Sequence, residues 1–151
     1  MQNKFIRKRT RIPDFDYGSI NYYFITIITK NKEHYFGRIL QEEMYYSNIG
    51  CIALNCLKDI SKVYDDVYLD DYVIKPNHMH FIIAIDKKNK QVNISKIIQQ
   101  YKGIVTKMVG FSIWHKSFYD HVIRNEKDYL RIYRYIEENV LKWSLDDYYS
   151  S

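Results

Sequence analysis

Cysteine is nearly absent: the 151-residue chain holds only Cys51 and Cys56. One pair without repeated spacing makes neither a disulfide framework nor a zinc knuckle, so both read as buried thiols in a reducing compartment. Long apolar runs are missing too. The longest, around Tyr22 to Ile28, falls far short of the roughly 18 residues that a membrane span needs. No apolar stretch with a small-residue cleavage site follows the basic N-terminus, so no secretory signal is expected and the cytoplasm is the expected location. Internal repeats, low-complexity tracts and interdomain linkers are likewise absent. Residues 1–151 therefore read as one domain, long enough to bury a core and too short for two ordinary ones.

What is present begins with 46% hydrophobic and 27% charged residues, the profile of a folded chain and not of a disordered one. A net charge of +5 favours an acidic partner, and nucleic acid is the commonest. Lys4, Arg7, Lys8, Arg9 and Arg11 precede a turn around Pro13 to Gly18. This basic arm either contacts phosphates, which would make binding salt-sensitive, or is a solvated tail. Tyrosine is abundant, with 16 copies against two Trp and seven Phe. Some could stack on unpaired bases, while most suit half-buried strands and helix faces.

Periodicity orders the elements. Tyr22 to Thr29, YYFITIIT, is β-branched and aromatic and predicts a buried strand. Ser47 opens a helix in which Ile49, Ile52, Ala53, Cys56, Leu57, Ile60 and Val63 recur at three- and four-residue intervals. Val67 to Ile74 and Met79 to Ile85 predict two strands joined through Lys75, Pro76 and Asn77 as a hairpin. A helix follows from Ser95 to about Val109, weakened slightly by Gly103, then a short strand near Phe118 to Ile123 and a third helix from about Glu126 to Lys142. The first six elements give the split βαβ order of a ferredoxin-like domain: an α+β fold with an antiparallel sheet and helices on one face.

Two places could carry chemistry. In PNHMHFII, His78 and His80 alternate with Met79, so both imidazoles leave one face of a strand about 7 Å apart and can reach one divalent metal. Taken alone, the pair serves equally well as hydrogen-bonded structural histidines. On the third helix, at about 100° per residue, Asp128, Arg131, Asn139 and Lys142 share a polar face with Tyr135, while Tyr129, Ile136 and Val140 lie toward the opposite side near Tyr133. Burial accounts for Tyr129 and Tyr133 but not for Tyr135. Asn139, four residues on, brings an amide oxygen beside the phenol. A metal there would polarise and orient a phosphodiester for attack, although a surface Tyr beside a surface Asn is the plainer reading of that pair alone. Between the two places, Trp114, Phe118 and Tyr119 with Lys116, His121 and Arg124 could form a stacking platform with phosphate contacts, or merely anchor a strand.

These motifs together resemble the REP-associated tyrosine transposases and the wider group of insertion-sequence transposases with one catalytic tyrosine. Three blocks carry the resemblance: Tyr22 to Gly37, Asp70 to Ile83 and Ile113 to Trp143. The paired histidines of that family, the HUH motif with a hydrophobic residue between them, correspond to His78, Met79 and His80; its nucleophile corresponds to Tyr135, and its polar ligand one turn later to Asn139. The resemblance implies an HUH nuclease fold, Mg²⁺ or Mn²⁺, a covalent 5′-phosphotyrosine intermediate on single-stranded or hairpin DNA, and a monomer or homodimer. The family commonly has Asn-Pro where this chain has Asn139-Val140, which leads to the expectation that the helix runs on for another turn. Two other classes stay open: a non-catalytic hairpin-binding module on the same fold, and a small metal hydrolase using His78 and His80 with water.

Overall fold

The structure is a computed structural model and describes residues 18–146 and 148–150. The arm with Arg7, Lys8, Arg9 and Arg11 lies outside the described residues. Strand β1 (Ile20–Thr29) leads, through a short 3-10 turn at Lys30–Lys32, to a hairpin of β2 (Gly37–Leu40) and β3 (Glu43–Tyr46). Helices α1 (Asn48–Lys58) and α2 (Ile60–Val63) follow, then β4 (Val67–Lys75), β5 (His78–Asp86), α3 (Ile94–Val109), β6 (Trp114–Ile123) and α4 (Glu126–Glu138). The four long strands form one antiparallel sheet in the order β4-β5-β1-β6. That is the ferredoxin-like arrangement the sequence predicts, in which each βαβ crossover skips one strand.

Local chemistry sets the boundaries. The Ser47 hydroxyl accepts the Gly50 N–H at 2.9 Å and caps α1. Gly50 itself has no room for a side chain, since a Cβ there would lie 2.0 Å from the Phe36 carbonyl oxygen. Asn93 and Asn125 cap α3 and α4 in the same way, and Gly110, with φ 99°, closes α3 in the left-handed conformation. The helix read as continuous to Val63 breaks at Asp59, so Val63 is exposed where the spacing had placed it in the core. The β2–β3 hairpin is an addition: Gln41 and Glu42 both take positive φ, a mirror-image turn usually signalled by Asn-Gly.

The sheet is covered on both sides. Ile25, Ile27, Met79, Phe81 and Ile83 pack on one face against Leu54 and Leu57 of α1 and Ile97 and Tyr101 of α3. On the other, Tyr22, Val73, Ile82 and Ala84 pack against Tyr129, Ile132 and Ile136 of α4. The expectation of helices on one face thus holds for the crossover helices and is corrected for α4, whose apolar stripe needs a cover of its own. α4 also ends at Glu138, not near Lys142: Asn139 is its C-cap, and Val140 does not prolong it. A 3-10 turn at Trp143–Leu145 then carries the chain back over the sheet. No described helix is long and apolar enough to cross a membrane.

Candidate functional site

Strand alternation puts His78 and His80 on the α4 face of the sheet, at the end nearest the β4–β5 turn. Both are buried, and each is oriented by its Nδ1. The amide of Asn77 is fixed by its Nδ2, which donates to the Tyr148 carbonyl at 2.7 Å. Its Oδ1 therefore accepts from His78 Nδ1–H at 2.8 Å. His80 Nδ1 shares a hydrogen with the Thr26 hydroxyl at 2.8 Å; Thr26 is directly opposite on β1. With the Nδ1 atoms engaged, both Nε2 atoms face the interior of the site, the tautomer that metal-binding imidazoles use. Burial pushes both pKa values down, most strongly for His80, where the neighbouring His78 adds to the effect. Neutral imidazoles result, and on His78, whose Nδ1–H is held by Asn77, the lone pair lies at Nε2.

The C-terminal residues add a carboxylate. Asp146 joins His78 and His80 in a group whose ligand atoms all lie within 4.8 Å of one another. Donors about 2.1 Å from one small ion lie up to about 4.2 Å apart, so a modest closure would let all three share it. Asp146 Oδ2 is 3.4 Å from His78 Nε2, yet that nitrogen has no hydrogen-bond partner among the described residues. A lone pair facing a carboxylate oxygen is repulsive until a cation sits between them. Asn139 Oδ1 is also buried without a partner, and Asn139, Asp146 and Tyr135 line one small cleft. Two imidazole nitrogens, a carboxylate oxygen and an amide oxygen make a donor set that could hold one divalent metal ion, so the residues fit a metal centre of the kind the sequence leads one to expect.

Burial opposes ionisation of Asp146, but the Lys75 ammonium and the Tyr148 N–H, both donating to it, outweigh that and hold this carboxyl well below the usual range. Lys75, the last residue of β4, faces His78 across the hairpin and contacts Asp146 through its ammonium. Neither Lys75 nor Asp146 carries a spacing or motif signal in the sequence.

Tyr135 is the most exposed member of the site, at 44%. Its hydroxyl lies within hydrogen-bond distance of His80 Nε2, at 3.3 Å. Its ring stands edge-on to the His80 ring at 5.2 Å and to Phe24 at 6.1 Å. Tyr129 is buried as expected and donates to Asp70, whereas Tyr133 is only half-buried. Asn139, taken with Lys142 as part of an exposed polar face, is in fact buried where the helix has ended.

From Tyr135 an open groove of about 1050 Å³ runs along α4, lined among others by His121, Asp128, Arg131 and Arg134. Asp128 joins two of these, accepting from His121 Nε2 and from Arg131, both at 2.6 Å. Tyr119 pairs with Thr26 and His121 with Phe24 in the β6–β1 register, so both project on the α4 face beside the site. Lys116 and Arg124 are exposed on and just after β6. Trp114 is a correction. It is 7% exposed, packs against Tyr101 and Phe36 in the core under the crossover helices, and donates its indole N–H to the Lys102 carbonyl, so it cannot stack on a base.

No protein-family model matches the chain. An uncharacterized protein of Haemophilus influenzae (strain Rd) is 33% identical over 167 aligned positions, covering 95% of this chain and 93% of its own length. The chain belongs to that protein's family. Among solved structures, a REP-associated tyrosine transposase bound to a REP hairpin superposes with a TM-score of 0.66 at 20% identity, covering 88% of this chain and 74% of that one. A candidate transposase from Deinococcus radiodurans gives 0.53 at 15% identity, covering 89% and 97%. At such identities the likeness establishes the fold, which is that of the transposases the sequence resembles.

Proposed function

We propose that this family member is a metal-dependent transposase-type nuclease that cuts single-stranded or hairpin DNA through Tyr135. The observation that carries the reading is the placement of the Tyr135 hydroxyl 3.3 Å from His80 Nε2, at the mouth of a buried group of His78, His80 and Asp146. A structural cluster has no use for an exposed phenol at its opening. His78, His80 and Asp146, with Asn139, would hold the divalent ion, which when bound supplies Lewis-acid polarisation and orientation of the phosphate.

The chain's own part is positional. Ile132 and Ile136 clamp α4 to the sheet and so keep Tyr135 over the histidines, while Thr26 and Asn77 fix the ring planes. In the reaction the Tyr135 oxygen attacks phosphorus and the bond from phosphorus to the 3′ oxygen breaks. The phenol proton is balanced by the proton that the departing 3′ hydroxyl gains, and the 5′ phosphate stays on the enzyme. His121, Arg131 and Arg134, along the groove, would guide the strand by phosphate contact, with Tyr119 on the same sheet face available for stacking and Lys116 and Arg124 on and just after β6.

The test follows a label placed 3′ of the cut through a denaturing gel, with Mn²⁺ and hairpin oligonucleotides. Wild-type protein should carry the label, and Tyr135→Phe should lose the adduct and at least about 10⁴-fold in cleavage while still binding DNA. Tyr133→Phe and Tyr129→Phe should still form it. An adduct on Tyr135→Phe refutes the assignment. A wild-type protein that binds hairpins and never carries the label leaves the non-catalytic binding module as the function.

A further inference from the structure

Lys75 is the only fully buried lysine or arginine among the described residues. It lies on the same face of β4 as Val73, directly opposite His78. Its Nζ contacts Asp146 and sits 5.5 Å from the centre of the Trp143 ring. Removing an ammonium from water costs several kcal/mol, and a well-packed apolar pair would stabilise this corner as well or better. The location gives the lysine another use. Lys75 lines, with Tyr135 and Asn139, the cleft of about 180 Å³ that opens beside the histidines. Tyr135 also lines the open groove, but it is this cleft that brings it together with Asn139 and Asp146, so a phosphodiester attacked by Tyr135 beside the metal group would lie there. In the transition state its non-bridging oxygens gather negative charge that a fixed buried cation stabilises without reorganising.

Resting on the function proposed above, we propose that Lys75 binds a non-bridging oxygen of the scissile phosphate, and that the Asp146 carboxylate occupies this ammonium until the strand enters. Asp146 is thus a stand-in anion for the phosphate as well as a donor to the metal group. Lys142, at the rim of the cleft, is exposed and pairs with Glu138 at 2.7 Å in solvent, so its ammonium lacks the fixed, desolvated position that Lys75 holds.

The experiment uses the hairpin oligonucleotide on which wild-type protein forms its adduct, with a single neutral methylphosphonate at the mapped cut. Binding is measured with Mn²⁺ on the Tyr135→Phe background, where no cleavage intervenes. The neutral linkage should weaken binding there by on the order of tenfold or more, the size of one lost charge-assisted hydrogen bond. Adding Lys75→Met should remove about tenfold of that discrimination, whereas a methylphosphonate two nucleotides away should be felt equally with and without Lys75. Should the unpaired Asp146 prevent folding, Lys75→Met with Asp146→Asn is compared with Asp146→Asn alone, so that any loss through the metal group is common to both and the difference in discrimination is that of Lys75. Full discrimination retained in the lysine variants overturns the proposal while leaving the tyrosine mechanism intact. Absence of any wild-type adduct overturns that mechanism, and this proposal with it.

Discussion

The two faces of β5 differ in a way that its sequence barely announces. Met79, Phe81, Ile83 and Ile85 fill a continuous apolar core under α1 and α3. The alternate residues begin with His78 and His80 and only then become Ile82 and Ala84. On the second face the polar half carries the candidate site, and the apolar half fastens α4 above it. A site of buried imidazoles is tolerable because the other face supplies the stability, at roughly 1.5–3 kcal/mol for each large side chain fully buried.

The comparison breaks most visibly if neighbours one residue apart behave alike. Replacing both His78 and His80 with Ala should abolish metal-dependent cleavage and Mn²⁺ binding, measured by calorimetry, while the protein still melts cooperatively and retains much of its affinity for hairpins. Wild-type cutting by that double variant, with the same metal dependence, would remove the site from consideration. Phe81→Ala should do the reverse: a loss of about 3–5 kcal/mol in denaturant unfolding, with unchanged metal affinity in the fraction that remains folded. A smaller effect sharpens the contrast within β1. Thr26→Val keeps the shape and removes the hydroxyl that orients His80, so metal affinity should drop about 10- to 100-fold with the melting temperature little altered. The smallest effect concerns the arm. Deleting residues 1–11 should flatten the dependence of hairpin affinity on salt, by at most about 3.5 (single strand) to 4.5 (duplex stem) in the log–log slope for its five cations. Identical slopes would make the arm a solvated tail.

Much of this was readable because it is local. The His78-Met79-His80 alternation, the caps at Ser47 and the apolar stripe of α4 are written in neighbouring residues, and the structure places them as read. What escaped depends on distant parts of the chain meeting. Lys75 reads as a turn residue until the hairpin register sets it opposite His78, and Asp146 stands beside a second aspartate in a C-terminal stretch with no periodicity. Trp114 departs from the expected stacking platform for a related reason. The strand starts at Trp114 rather than near Phe118, and a register shift between Ile27 and Thr29 accompanies the turning of its ring into the core. The early end of α4 came without a proline, with a 3-10 turn following at Trp143.

Trp143 has an optical consequence. Its ring is stacked near His78, with centroids 6.1 Å apart at 30°, and lies under the Lys75 ammonium. The other tryptophan, Trp114, is buried beneath the opposite face of the sheet. Indole emission responds to nearby charge, so the protein contains both a reporter at the site and an internal reference remote from it. In a Trp143→Phe background the signal that follows filling of the site should vanish while the Trp114 emission persists, which makes occupancy legible in unlabelled protein by its own light.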